Sequence, residues 1–221
     1  MDFASIEQHF LQIIGPALVE TLYMSFVSTF LGFLLAIIPG VFLVLWDKNG
    51  LKENKSAYAT LDFVVNVVRS FPFIILIIIL MPFTRLIVGT SIGTTATIVP
   101  LTLGIAPYLA KMIEASLKEV GQDVIEAAKS YGATNTQIVC RVLFVEALPS
   151  LINGLTLTLI IVIGFSAMAG TVGGGGLGDV AVRYGYQRFR TDIMIETVIV
   201  LLVLVQMVQM AGNFFYKITK R

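Results

Sequence analysis

Residues 21–46 read TLYMSFVSTFLGFLLAIIPGVFLVLW, an unbroken stretch without Asp, Glu, Lys or Arg. A helix rises about 1.5 Å per residue, so roughly 20 such residues cross the ~30 Å hydrocarbon layer. This run is long enough, and it does not alternate as a barrel strand would. Leu86–Ala110, Ala147–Gly178 and Thr197–Tyr216 are equally free of charge. Ser70–Thr84 is shorter and sits between Arg69 and Arg85, but Phe63–Val68 extends it on its N-terminal side. Arg69 is then left to reach toward a headgroup or to face a neighbouring helix.

The whole composition agrees. Of 221 residues, 57% are hydrophobic and 13% charged, with a mean hydropathy of +0.89. Such a chain has too little polar surface for a soluble enzyme, a disordered tail or a nucleic-acid module. Fifteen Lys and Arg against fourteen Asp and Glu give no basic field for a phosphate backbone. Cys140 is the one cysteine and His9 the one histidine, which removes internal disulfides and the usual zinc and acid–base constellations. An all-α membrane protein is expected, with five transmembrane helices at about 20–46, 62–83, 88–110, 148–172 and 196–216.

Orientation follows from basic residues in alternate connections. Lys48, Lys52, Lys55, Lys111, Lys118, Lys129, Arg141, Lys217, Lys220 and Arg221 fall on one side; Arg85, Arg183, Arg188 and Arg190 fall on the other. The segment 1–19 is therefore expected outside and the tail 217–221 in the cytoplasm. The N-terminus has no basic region before a late apolar run, so it does not read as a cleaved signal.

Two connections exceed what a turn requires. The cytoplasmic one, 111–147, contains Asp123-Val-Ile-Glu126, read as a capping box with Asp123 as N-cap. A two-turn helix over 124–131 is expected, ended by Gly132, with Thr134 or Asn135 starting the next. Ala127 and Ala128 are small enough to let another protein approach the backbone, and Glu126 supplies a charge. An interfacial helix lying among headgroups fits the pattern equally. The outer connection opens Gly173-Gly-Gly-Gly-Leu-Gly178, whose G-x-G-x-x-G spacing has no preceding strand and is no dinucleotide site. It reads as a flexible turn before a short surface helix, Leu177–Phe189.

Glu126-Ala-Ala with Gly132 resembles the EAA loop of ABC importer permeases. Arg69-Ser-Phe-Pro-Phe73, Pro82-Phe-Thr-Arg85, Val88-Gly-Thr-Ser-Ile-Gly93, Glu146-Ala-Leu-Pro-Ser-Leu-Ile-Asn-Gly154, Gly164-Phe-Ser-Ala-Met168 and Arg183-Tyr-Gly-Tyr-Gln187 look like the methionine-transporter branch of that family. The broader family has a Leu-Pro pair where this chain has Phe144-Val145; Leu148-Pro149 is retained.

The resemblance implies the type I importer permease architecture over 20–216, with Asp123, Glu126, Ala127, Ala128 and Gly132 coupling to a cytoplasmic ATPase. It implies a second copy of the chain, two ABC ATPase subunits that bind ATP and Mg, and an extracytoplasmic solute-binding lipoprotein. Methionine, L or D, is the implied solute, with another small amino acid as the alternative. The chain itself holds no P-loop, so no cofactor and no catalytic or metal site is expected in it. An intramembrane enzyme is disfavoured by the scarcity of acid–base groups, and a purely structural scaffold would need no EAA loop.

Asn153, Thr156, Thr158, Ser166 and Met168 interrupt the aliphatic run of the fourth span; Asn153, Thr156, Ser166, Phe165 and Met168 are candidates for the solute path, with bulky Phe165 and Met168 the two expected at its gate. Small hydroxyl residues also serve ordinary helix packing. Arg183, Tyr184, Tyr186, Gln187 and Arg188 are candidates for binding-protein docking, with plain surface exposure as the competing reading. Pro39, Pro72, Pro82, Pro100 and Pro107 lie within spans, as static kinks or hinges.

Overall fold

The computed structural model describes residues 9–220, and the parts of the two expected termini at 1–8 and 221 lie outside it. The described residues are helical and contain no strand. In chain order they form α1 (Phe10–Trp46), α2 (Lys55–Arg69), α3 (Phe73–Val88), α4 (Thr94–Lys118), α5 (Gln122–Ser130), α6 (135–146), α7 (Leu148–Gly170), α8 (176–186) and α9 (Thr191–Thr219). α1, α4, α7 and α9 are each long and apolar enough to cross a membrane.

The expected helix 62–83 is not one helix. It is cut at Ser70-Phe71-Pro72, and α2 and α3 meet there at 98°; neither alone is long and apolar enough to cross a membrane, and the pair reaches that measure only when taken together. Pro72 explains the cut: it lacks an amide proton and disfavours helical backbone at the residue before it. Pro39, Pro82, Pro100 and Pro107, by contrast, stay inside continuous helices.

α1 packs along α4 through a stripe of small side chains, Thr21, Ser25, Ser28, Gly32, Ala36 and Gly40, all buried. Helical spacing puts them on one face, and small residues let membrane helices approach closely. A methyl group at Gly32 would stand 2.7 Å from Ile105 Cγ2, and one at Gly40 2.9 Å from Ile113. α9 meets α7 in the same way, with Gly212 lying against Thr156.

At the outer end the glycine run is an ordered crossing, which corrects the expected flexible turn. Gly175 and Gly176 have φ of +80° and +75°, backbone that only glycine adopts without strain. That geometry turns two amides onto α1: Gly176 N–H donates to Glu20 Oε2 at 2.7 Å and Leu177 N–H to Thr21 Oγ1 at 2.9 Å. α8 consequently starts inside the protein. Leu177 is fully buried beside Ile14, Ile163 and Ile193, so α8 is not the surface helix expected over 177–189.

At the cytoplasmic end the clamp is ionic. The Glu114 side chain, 3% exposed, accepts from Lys111, from Lys118 Nζ at 2.7 Å and from Tyr58 Oη at 2.8 Å. Lys111 also reaches Asp62 at 2.8 Å, and Lys118 reaches Asp47 at 3.0 Å. The end of α1, the first two turns of α2 and the last turns of α4 are thereby joined. Burial pushes the Asp47 carboxyl up, but bonds from Lys118 and from the Lys48 backbone carry it below the usual carboxylate range. Its contribution is therefore present at neutral pH and fades as acidification passes its lowered folded-state pKa.

Removing the buried acceptor strands two ammonium groups, a loss of about 3 kcal/mol in buried pairs, whereas a half-exposed pair contributes about 1 kcal/mol or less. Glu114→Ala is expected to lower the thermal midpoint of the detergent-solubilised protein clearly more than Asp62→Ala does. Equal shifts for the two would contradict the hub role of Glu114.

Candidate functional site

The cytoplasmic helix α5 stands away from the bundle on a single apolar foot. Ile125 is its one buried residue, in the same cluster as Leu117 and Val120 at the end of α4 and Leu143 of α6. Ala128, one turn on, is half-buried against that cluster, while Asp123, Glu126 and Ala127 are exposed. The two alanines thus divide: Ala127 faces solvent and Ala128 faces the body.

Capping differs from expectation. Gly121, not Asp123, is the N-cap, and no side chain caps the helix. A side chain at 121 would collide with the Asp123 carboxylate, which folds back over the helix start. Asp123 instead lies in the first turn, where a carboxylate complements the helix dipole. The reciprocal capping box is at Thr134 and Gln137: Thr134 N–H donates to Gln137 Oε1 at 2.8 Å and Gln137 N–H to Thr134 Oγ1 at 3.4 Å.

Gly132 ends α5 as expected. Its φ is +77°, its N–H donates to Lys129 O at 2.9 Å, and Ala133 N–H donates to Ala128 O at 3.1 Å. These two bonds form a Schellman motif. The closure leaves Tyr131 at the tip, 92% exposed. Sequence reading passed over Tyr131, although a large aromatic between an Ala pair and a C-terminal glycine was signal enough.

Along α7, Asn153, Leu157, Gly164 and Met168 are exposed and share one face at helical spacing. Thr156 and Ser166 do not join them. Both are buried, and their hydroxyls donate to their own helix, Thr156 to Ile152 O at 2.8 Å and Ser166 to Ile163 O at 2.7 Å. Phe165 is half-buried and stacked on Phe73 of α3, centroids 4.3 Å apart and planes 7° from parallel. Of the two expected gate residues, Met168 is therefore the open one.

The outer connection gathers the remaining candidates. Arg183 pairs with Asp179, and Tyr184 is half-buried with the Arg188 guanidinium 4.7 Å from its ring centroid. Tyr186, Gln187 and Arg188 are exposed. Phe189, which was not among the docking candidates, is 85% exposed and has φ +55°. Beside it Arg190 joins Asp192 and approaches His9 Nε2 at 2.9 Å, while His9 Nδ1 lies 3.2 Å from Glu196.

Comparison with known proteins gives these features a family. The model of the family described as "Binding-protein-dependent transport system inner membrane component" matches residues 32–221. The chain is 49% identical to the probable D-methionine transport system permease protein MetI of Vibrio cholerae, over 96% of both chains. It is 50% identical to the D-methionine transport system permease protein MetI of Escherichia coli (strain K12), over 68% of this chain and 70% of that one. Two inward-facing structures of the MetNI methionine ABC transporter contain chains of the same fold. One has a TM-score of 0.94 at 42% identity, covering all of both chains; the other has 0.90 at 46%, covering 91% and 94%. A nine-residue cytoplasmic helix under a bundle of membrane-spanning helices, with matches of this extent, places the chain in the family of binding-protein-dependent transport system inner membrane components.

Proposed function

We propose that this chain is the membrane-spanning subunit of an ATP-driven methionine importer, accepting either enantiomer. It works as a symmetric pair, with two cytoplasmic ABC ATPase subunits below and a solute-binding lipoprotein at the outer mouth. The observation that carries the reading is α5, a short helix held beneath the bundle on Ile125 with its polar face free. The relatives named as methionine permeases supply the solute.

ATP and Mg bind the partner ATPases. Their closure draws the two copies of α5 together, and two copies are needed because each chain carries one such helix within its 111–147 connection. Exposed Asp123, Glu126, Ala127 and Tyr131 form the docking face; Ala128 and the Gly132 turn set its angle to the body. Displacement passes through Ile125 to α4 and to the α6–α7 junction, shifting the balance between inward- and outward-open states. The solute moves along the face of α7 that carries Asn153 and Met168, with the Phe165–Phe73 stack behind it. Arg183, Tyr184, Tyr186, Gln187 and Arg188 form the outer docking surface, together with Phe189.

A charge reversal at a charge-assisted contact removes at least one such bond and adds repulsion, worth about tenfold or more. Glu126→Lys is expected to cut ATP-driven methionine uptake in proteoliposomes about tenfold while membrane insertion stays normal. Unchanged uptake would remove α5 from the coupling route.

The path assignment has its own test. Met168→Trp is expected to stop uptake while ATP hydrolysis continues, whereas Ser166→Ala, whose hydroxyl bonds only within α7, leaves uptake near the starting rate. The opposite ranking would put the path on the other face of α7.

A further inference from the structure

Arg69 stands where membrane proteins rarely leave a charge unpaired. Its depth is set from both sides. Asp62, two turns before it on α2, bonds to Lys111 of α4, and Phe73, four residues on and past the break, lies 3.3 Å from where a side chain at Gly104 would begin. Gly104 is ten residues from the outer end of α4, about 15 Å, or half the hydrocarbon thickness. At that level Ile105 also meets Gly32, the middle of the charge-free stretch of α1.

Arg69, Ser70, Phe71 and Pro72 are all exposed on the protomer. Among the described residues Arg69 has no acidic partner, since Asp62 is engaged by Lys111 and Asn66. Ser70 turns its hydroxyl and its amide back onto α2, both reaching Asn66 O. The Ser70 and Phe71 carbonyls accept no hydrogen bond from a described residue. A guanidinium and bare carbonyls at mid-depth are tolerated against water or protein, not against lipid. The break also adjoins α7, because Phe73 stacks on Phe165, the residue that follows exposed Gly164.

We propose that the Arg69–Pro72 break is a transit site for the two backbone charges of an amino-acid solute. The Arg69 guanidinium donates two parallel hydrogen bonds to the α-carboxylate, a geometry its planar fork matches. The Ser70 and Phe71 carbonyls accept from the α-ammonium. The pair is neutral as a whole, so the solute carries no net charge into the low-dielectric layer, and its own side chain rests on exposed Phe63 and Val67. This rests on the amino-acid importer reading and adds to it the place where the solute is held.

The test uses the assembled transporter with Cys140→Ser, so that Phe71→Cys supplies the only thiol of this chain. A membrane-impermeant charged thiol reagent is expected to modify the thiol introduced at position 71, methionine to slow the reaction, and methioninol, which lacks the carboxylate, to leave it unchanged. Adding Arg69→Gln is expected to raise the methionine concentration needed for half-protection about tenfold or more, with Arg69→Lys between the two. A thiol unreachable by the reagent, which would place the break in lipid or against the second copy, overturns the site. So does equal protection by methioninol, or full protection with Arg69→Gln. If the transporter with no substitution fails to take up methionine at all, the importer reading falls and the site with it.

Discussion

Hydrocarbon offers no hydrogen bonds, and that single deficiency organises this molecule. A hydroxyl carried into the layer is costly unless it finds a partner within the protein or faces water, and only Ser25, Thr29, Thr84 and Thr102 are buried without one among the described residues. Thr21, Thr156, Thr158, Thr197 and Ser166 donate to a carbonyl three or four residues back on their own helices. Satisfied in this way, a threonine or serine becomes a small packing residue. The stripe on α1 lets α4 approach within a methyl's width, although one of its hydroxyls, that of Ser25, is buried without a hydrogen-bond partner among the described residues. The close α1–α4 packing and the burial of Thr156 against Gly212 follow from the same rule.

The two ends of the bundle solve a second problem, that of fixing helices which lipid does not press together. Outside, Glu20 and Thr21 of α1 accept the amides that the left-handed glycines of the α7–α8 turn present to them. Inside, Glu114 gathers two lysines and a tyrosine from α4 and α2. One clamp uses backbone polarity and the other uses charge, and each matches its sequence: a run of glycines at one end, acids and bases at helical spacing at the other. α4 takes part in both, through Gly93 N–H donating to Gly173 O and through Glu114. It is the fixed post to which the other elements refer.

How much of this was legible beforehand varies with the range of the interaction. Charge-free runs show the membrane helices because crossing the bilayer is a property of one segment and its length. The Gly132 turn was equally readable, since a C-terminal glycine acts within a few residues. Asp123 failed as an N-cap because Gly121, two residues earlier, already begins the helix and leaves no side-chain cap to be made. Helix 62–83 failed because hydropathy averages over Pro72, while backbone geometry does not. The inward orientation of Thr156 and Ser166 was not legible for a different reason. A mean hydropathy carries no azimuth, and α7 is apolar nearly all round, so its sequence does not say which polar residue turns outward. Arg183 through Arg188 could be located on one connection, yet the burial of Leu177 beneath them needed the contact with α1.

That same limit bears on how force reaches the bundle. A helix of nine residues with one buried side chain has little packing of its own, so its position is set by what Ile125 touches. Leu117 and Val120 belong to the end of α4, and Leu143 to the segment that leads into α7. On the proposed coupling role, a push on α5 acts at the junction between the fixed post and the helix whose outward face bears Asn153 and Met168. With α4 tied to α1 and α2 through Glu114, that displacement has less freedom to move α4 than to swing α6 and α7. Close-packed interiors switch between discrete arrangements and resist gradual bending. The weak foothold of α5 and the strong ionic anchorage of α4 are then complementary: in the proposed mechanism one admits motion and the other directs it into α7, the helix proposed to border the path.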